Sequence, residues 1–259
     1  MSSAIAMIPV RLGSSRLPGK ALLRDTGSPL FLHTVRRAQA AQRLSQVYVA
    51  SDAPEVLTAS EQEGVPTLST SDRPRTGSER CAEALSTPGV QGEPEIIIDV
   101  QGDWPEIDPE DLDRLVQALE EDPSAQVATL ACPLDGPEDL ASPHVVKVLT
   151  RPDGQALYFS RAPIPGTKEG PQCLRHWEAA RRHVGVYAFR REALLSLPRL
   201  PESRLEQLEE LEQLRWLEAG WRILVLHTDK RPRGIETLED YKAFLLRVQP
   251  CDKDGSGIK

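Results

Sequence analysis

Short apolar runs alternate with stretches of helical spacing along nearly the whole chain, a pattern that predicts an α/β fold on a largely parallel sheet. Ala4-Ile5-Ala6-Met7-Ile8 reads as a buried strand. Ile96-Ile97-Ile98-Asp99-Val100, almost continuously apolar and β-branched, is the clearest one. Further strands are predicted over 46–50, 65–68, 127–132, 145–149, 156–160, 184–189 and 221–226. Ser28-Pro29 supplies an N-cap and first position for a helix to about residue 42. Asp52 or Ala53 opens another, with Pro54 in its first turn and Gly64 past its end. Residues 79–85 have helical spacing after the polar turn Thr76-Gly77-Ser78, and Asp108-Pro109-Glu110 opens a helix to about residue 121. Residues 205–219 are predicted as one strong helix stopped by Gly220, with Leu205, Leu208, Leu211 and Leu214 facing the core. Thr237 caps a closing helix to about residue 248. The chain thus reads as a single domain over 1–249, with a smaller β-rich lobe over about 134–210 and a disordered polar tail at 250–259.

Composition narrows the function. Of 259 residues 39% are apolar and 27% charged, ordinary for a soluble globular protein. The net charge of −8 argues against nonspecific nucleic-acid binding through a basic face. No apolar run approaches the roughly 20 residues that span a bilayer, and the start lacks the charged region and cleavage site of a signal peptide. Cys81, Cys132, Cys173 and Cys251 have neither C-x-x-C spacing nor a nearby His pair, so free thiols in a reducing cytoplasm are expected.

Against that acidic background, Arg11-Leu-Gly-Ser-Ser-Arg-Leu-Pro-Gly-Lys20 places three cations in one glycine-broken loop after the first strand. Exposed backbone N–H groups surrounded by Arg11, Arg16 and Lys20 suit an oligophosphate. The loop is not a P-loop: five residues rather than four separate Gly13 from Gly19-Lys20, and Ala21 stands where a metal-binding Ser or Thr would be. Gln101-Gly-Asp-Trp-Pro105 leaves the strand at 96–100 and lies at the same edge of an open α/β sheet. Asp103 there would give a hard oxygen ligand to a divalent ion on a nucleoside triphosphate; taken alone it could equally stabilise a turn.

Pro9-Val-Arg11, Arg16-Leu-Pro-Gly-Lys20, Gln101-Gly-Asp103-x-Pro105, Phe159-Ser-Arg161, His183-x-Gly-x-Tyr187 and the Glu-rich stretch 205–215 together resemble the 3-deoxy-manno-octulosonate cytidylyltransferases, or CMP-Kdo synthetases, over about 4–248. The first loop alone is shared with several sugar nucleotidyltransferases; the combination is far more specific. The resemblance implies a Rossmann-like, mostly parallel sheet flanked by helices, of the nucleotide-diphospho-sugar transferase type. It implies transfer of CMP from CTP to the anomeric hydroxyl of Kdo for lipopolysaccharide biosynthesis, with Mg²⁺, in a cytoplasmic homodimer.

Residue by residue, it puts the CTP phosphates on Arg11, Arg16 and Lys20 and the cytidine on Thr76, Gly77 and Ser78 of Thr76-Gly-Ser-Glu-Arg80. Gln101 falls between nucleotide and sugar. Arg161, His183, Glu209 and Gln213 fall in segments lining the sugar. Arg11, Lys20 and Asp103 carry the chemistry, and no general base is assigned. Taken alone, Arg161 could be a surface residue, His183 a core histidine, and the Glu-rich helix a solvated face with i,i+4 pairs. The four tryptophans read as packing residues.

Two departures stand out. Gly234-Ile-Glu-Thr-Leu-Glu-Asp240 carries Glu236 where the resemblance calls for an aspartate as second metal carboxylate, and Mg²⁺ tolerates little change in reach. Arg73-Pro-Arg75 is one residue longer and more basic than the corresponding stretch. An acceptor such as amino-Kdo or a nonulosonate, a preference for Mn²⁺, or a nucleotide-binding regulator without turnover would each be compatible with these changes.

Overall fold

The strands β1 (Ala4–Val10), β2 (Leu44–Ser51), β3 (Thr67–Ser69), β4 (Ile96–Val100), β5 (Val127–Cys132), β6 (Lys147–Thr150), β7 (Ala156–Ser160), β8 (Arg181–Arg190) and β9 (Ile223–His227) join one sheet. This is a computed structural model, describing residues 3–14, 16–168 and 174–248. The main path runs β3-β2-β1-β4-β8-β5-β9. Neighbours along it are parallel except at β8, which is antiparallel to β4 on one side and to β5 on the other. β8 is therefore the one reversed strand on that path, and the sheet is mostly parallel. β6 and β7 form a hairpin that attaches through Lys147↔Arg182 and Val148↔Arg181. The stretch over about 134–210 thus contributes both this hairpin and a central strand of the sheet.

The described α-helices are α1 (Leu30–Gln39), α2 (Pro54–Gln62), α3 (Gly77–Leu85), α4 (Pro109–Glu121), α5 (Pro137–Ala141), α6 (Arg191–Ser196), α7 (Arg204–Glu209), α8 (Glu212–Glu218) and α9 (Leu238–Val248). None is long and apolar enough to cross a membrane. β1, β4 and β5 are buried along their whole length, as expected for strands covered on both faces. Successive side chains point to opposite faces. Ile98 and Val100 therefore pack with Phe31, Val35, Leu112 and Leu115 on one side, while Ile97 packs with Cys81, Leu85, Phe159, Phe189 and Trp216 on the other. Trp216 meets Tyr187 and Phe189 edge-on, at 4.9 and 5.0 Å between centroids.

The helix expected over 205–219 is two helices. Glu210 adopts a left-handed backbone (φ 51°, ψ 48°), which ends α7 and redirects the chain into α8. The cause is tertiary. The Glu209 carboxylate accepts from Ser160 Oγ and from Arg161 N, both at 2.7 Å, and its carbonyl accepts from Arg161 Nε at 2.7 Å. These bonds fix the end of α7 on β7, and the turn at Glu210 then lets Leu214 and Trp216 enter the core. The leucine stripe divides accordingly: Leu211 and Leu214 are buried, whereas Leu208 is 71% exposed. The first predicted N-cap also shifts by one residue, Pro29 preceding a helix that begins at Leu30.

At the base of the hairpin, Lys147 is fully buried and its ammonium donates to the carbonyls of Ser142, Val145 and Arg161. Burial lowers its pKa to about 8. Cys81 and Cys132 are free and buried. Ser15, Cys173, Cys251 and the 250–259 tail lie outside the described residues.

Candidate active site

The strand order makes β1 and β4 neighbours, so the loops at their C-terminal ends meet. Gly19, at φ +67°, turns the first loop back so that Lys20 faces the second. Lys20 Nζ donates to Asp103 Oδ2 at 2.5 Å and to the Ile235 carbonyl at 2.7 Å. Ile235 N in turn donates to the Asp103 carbonyl at 2.9 Å, which brings the 234–237 turn against the Asp103 loop. Arg16 forms an ion pair with Glu236. Gly102 is fixed from two sides: Thr34 Oγ1 of α1 donates to its carbonyl at 3.1 Å, and a Cβ there would lie 2.9 Å from Val10. The Trp104 ring lies 3.4 Å from the Cβ position of Gly234, so this tryptophan packs the turn in place.

Arg11, Arg16, Lys20, Gln101, Asp103 and Glu236 thereby line one open cleft of about 290 Å³. The longer basic stretch reaches it too, because Arg11 Nη1 donates to the Arg75 carbonyl at 3.3 Å. Thr76 caps α3, its hydroxyl accepting from Glu79 N at 3.2 Å. Gly77 underlies Gln101: a Cβ at Gly77 would lie 1.9 Å from Gln101 Nε2. Ser78 is fully buried and points below the cleft, 2.8 Å from Asp99 and 3.2 Å from Glu212.

Arg161, His183, Glu209 and Gln213 are not in the lining of this cleft. Arg161 donates to the carbonyls of Pro143, Glu209 and Glu210, and the Glu209 carboxylate is held by Ser160 and Arg161 as described. His183 Nε2 lies 3.0 Å from Thr129 Oγ1, with its ring between Phe159 and Tyr187. Burial takes its pKa down to about 3, so the ring is neutral near pH 7. Gln213 is buried, its Oε1 accepting from the Tyr187 hydroxyl at 3.1 Å.

Three residues absent from the sequence-based site belong to its foundation. Asp99 accepts from Gln101 Nε2 at 2.7 Å, Glu212 meets Ser78, and Tyr187 stands opposite Asp99 on β8. Burial raises all three, with Glu212 also acting on Asp99 and Tyr187; Glu212 reaches about 7. The signal for Asp99 was present in the sequence as an acid inside an isoleucine and valine run.

A mostly parallel α/β sheet whose strand ends carry paired cations and carboxylates over an open cleft suits a nucleotide's phosphates, and the chain's relatives make the class a nucleotidyltransferase. The family profile described as cytidylyltransferase matches residues 5–223. The chain is 41% identical over 243 residues to the 3-deoxy-manno-octulosonate cytidylyltransferase of Bradyrhizobium sp. (strain ORS 278), covering 92% of this chain and 94% of that one. It is 43% identical over 240 residues to the enzyme of the same name from Anaeromyxobacter sp. (strain Fw109-5), covering 93% and 94%. A solved structure of CMP:2-keto-3-deoxy-manno-octonic acid synthetase complexed with CTP matches with a TM-score of 0.84 at 37% identity, over 95% of this chain and 99% of that one. The chain belongs to the cytidylyltransferase family.

Proposed function

We propose that this chain transfers CMP from CTP to the anomeric hydroxyl of Kdo, releasing pyrophosphate. The observation that carries the reading is the cleft itself, with Arg11, Arg16 and Lys20 at the end of β1 facing Gln101 and Asp103 at the end of β4. The names borne by the relatives supply the nucleotide and the acceptor. The anomeric oxygen forms a bond to the α-phosphorus as the bond to pyrophosphate breaks, and the hydroxyl proton passes to solvent. Little covalent chemistry falls to the protein, so positioning and charge neutralisation dominate. Arg11, Arg16 and Lys20 hold the triphosphate and stabilise charge on the leaving pyrophosphate. Gln101 lies between nucleotide and sugar, over the Thr76–Ser78 turn.

Asp103 and Glu236 are the residues that would hold Mg²⁺. The donor set fits such an ion: both are hard-oxygen carboxylates on the cleft. Magnesium characteristically takes one or two protein carboxylates and completes its shell with phosphate oxygens and water. When bound, it would neutralise phosphate charge and acidify the sugar hydroxyl. We assign the reaction to the cytoplasm, where thiols such as Cys81 and Cys132 stay reduced, and to a homodimer.

Pyrophosphate release from CTP, measured against a panel of Kdo, amino-Kdo and a nonulosonate, tests the reading. Kdo is expected to give the highest kcat/KM, and Asp103→Asn to abolish turnover while the fold is retained. Near-normal activity in that variant would overturn the assignment of Asp103, and turnover only with another sugar would overturn the assignment of Kdo.

A further inference from the structure

Below Gln101, two carboxyl groups are folded into the interior around a single hydroxyl. Ser78 Oγ lies 2.8 Å from Asp99 Oδ2 and 3.2 Å from Glu212 Oε1. Ser78 and Asp99 are fully buried, and Glu212 Oε2 is out of contact with solvent and makes no hydrogen bond. A serine hydroxyl carries one hydrogen, and two ionised carboxylates carry none. With both acids ionised, one of the two contacts would oppose oxygen lone pairs beside the half-buried Glu212, a costly arrangement. One proton on the pair removes the conflict: Ser78 donates to one acid and accepts from the other. We propose that Asp99 and Glu212 hold a single proton between them across Ser78, and that this pair positions Gln101 on the acceptor side of the cleft.

The surroundings act in both directions. Thr76, the cap of α3, hydrogen-bonds Glu212, and the Cys81 thiol hydrogen-bonds Asp99, each favouring the ionised acid; from β8 comes the Tyr187 hydroxyl. Arg215 of α8 is the cation acting on Glu212, and Glu206 of α7 adds a further negative charge. The Arg215 guanidinium is already engaged by Glu79 at 3.0 Å and Glu206 at 3.2 Å. Burial, and for Asp99 the neighbouring Glu212, raises both carboxyls well above the usual range.

The link to the cleft is the 2.7 Å bond from Gln101 Nε2 to Asp99 Oδ1, which orients the carboxamide. Asp99 is therefore a positioning residue, acting through Gln101. Loss of the shared proton would place a second negative charge beneath the wall that meets the acceptor. A sugar acid carries its own carboxylate, so its binding weakens as that charge appears. This consequence rests on the proposed role of Gln101 beside an anionic acceptor.

Difference infrared spectroscopy of the intact chain reads the proton without turnover. The carbonyl stretch of a protonated carboxyl group is expected at about pH 6 and should fade as pH rises, as a single proton shared by a coupled pair requires. In Asp99→Asn the new amide donates to Ser78, Ser78 donates to Glu212, and no carboxyl proton is needed, so the band disappears. Glu212→Gln is the mirror case and guards against misfolding of the first variant. A wild-type spectrum without the band at about pH 6 would overturn the shared proton. In steady-state kinetics the wild-type KM for Kdo is expected to rise about tenfold per pH unit beyond the proton loss. In Asp99→Asn that rise is expected to vanish; a profile identical to wild type would overturn the positioning role. If no acid sugar is turned over at all, the functional reading fails, and the infrared band still decides the proton.

Discussion

Gly77→Ala puts a methyl group where the Gln101 carboxamide now lies. Its Cβ would sit 1.9 Å from Nε2, 2.4 Å from Oε1 and 2.5 Å from Cδ of Gln101. Ordinary contact needs about 3.5–4 Å, so the carboxamide must retreat by roughly 1.5–2 Å, and the 2.7 Å bond to Asp99 breaks. Losing a hydrogen bond to a buried carboxyl costs about 1.5–3 kcal/mol. Alanine in place of glycine within a helix returns about 0.5–1 kcal/mol, and Gly77 is already helical at the start of α3. The net destabilisation is then about 1–2 kcal/mol, small enough for the fold to survive. Catalysis should suffer more, because a displacement near 1 Å in a positioning group costs about 100-fold. Urea denaturation gives the first quantity. Pyrophosphate release with CTP and Kdo varied separately gives the second, with the loss falling on kcat/KM for Kdo. A double-mutant cycle with Gln101→Ala should show that the two substitutions are not additive. Wild-type kinetics for Kdo in Gly77→Ala would refute the reasoning, since no rearrangement leaves Gln101 where it is.

Three further outcomes follow from the structure. Lys147→Met removes the donor to three buried carbonyls and should cost about 3–5 kcal/mol by urea denaturation, as for a broken buried charged group; a loss under about 1 kcal/mol would mean that water replaces the ammonium. For Glu212, whose folded pKa of about 7 lies above its unfolded value of 4.5, the stabilising contribution is complete below about pH 4.5 and lost as pH rises through about 7. Over that window wild type should therefore lose stability relative to Glu212→Gln in paired denaturation curves, and parallel curves would contradict the raised carboxyl. Glu236→Asp shortens the acid by one methylene and should raise turnover with Mg²⁺ relative to Mn²⁺; an unchanged ratio in pyrophosphate release would count against Glu236 touching the ion.

What the sequence could and could not disclose follows from which forces are local. β1, β4 and β5 were readable because strands buried on both faces need unbroken apolar runs, and α4 because Asp108-Pro109 marks its first turn chemically. Loops 11–20 and 101–105 could be paired because parallel strands bring their ends to one edge. The reversal of β8 was not readable, since side-chain alternation is the same for either strand direction. Nor was the split at Glu210. Helical periodicity cannot tell which of Glu206, Glu209, Glu210 and Glu212 turns inward. That choice is made by Ser160 and Arg161, some 50 residues earlier, which capture Glu209 and leave Glu212 to α8. The same contact explains why a four-leucine stripe ended with Leu208 in solvent.

The pairs Lys20–Asp103 and Arg16–Glu236 give the cleft a built-in ion exchange. On the proposed reading, a nucleotide arriving with a divalent ion would trade partners there: its phosphates would take Lys20 and Arg16, and Asp103 and Glu236 would be released to hold the ion. Charges swap and are not created, so the exchange releases few small ions to the bulk. Added salt, which weakens a naked basic groove steeply, then acts on both sides of the trade. A bare triphosphate has no metal to offer Asp103 and Glu236, so it must strip Lys20 and Arg16 from acids that are left uncompensated. The cleft would therefore discriminate by charge balance, taking up the metal-loaded nucleotide with both acids compensated and the free polyanion only at the cost of leaving them unpaired.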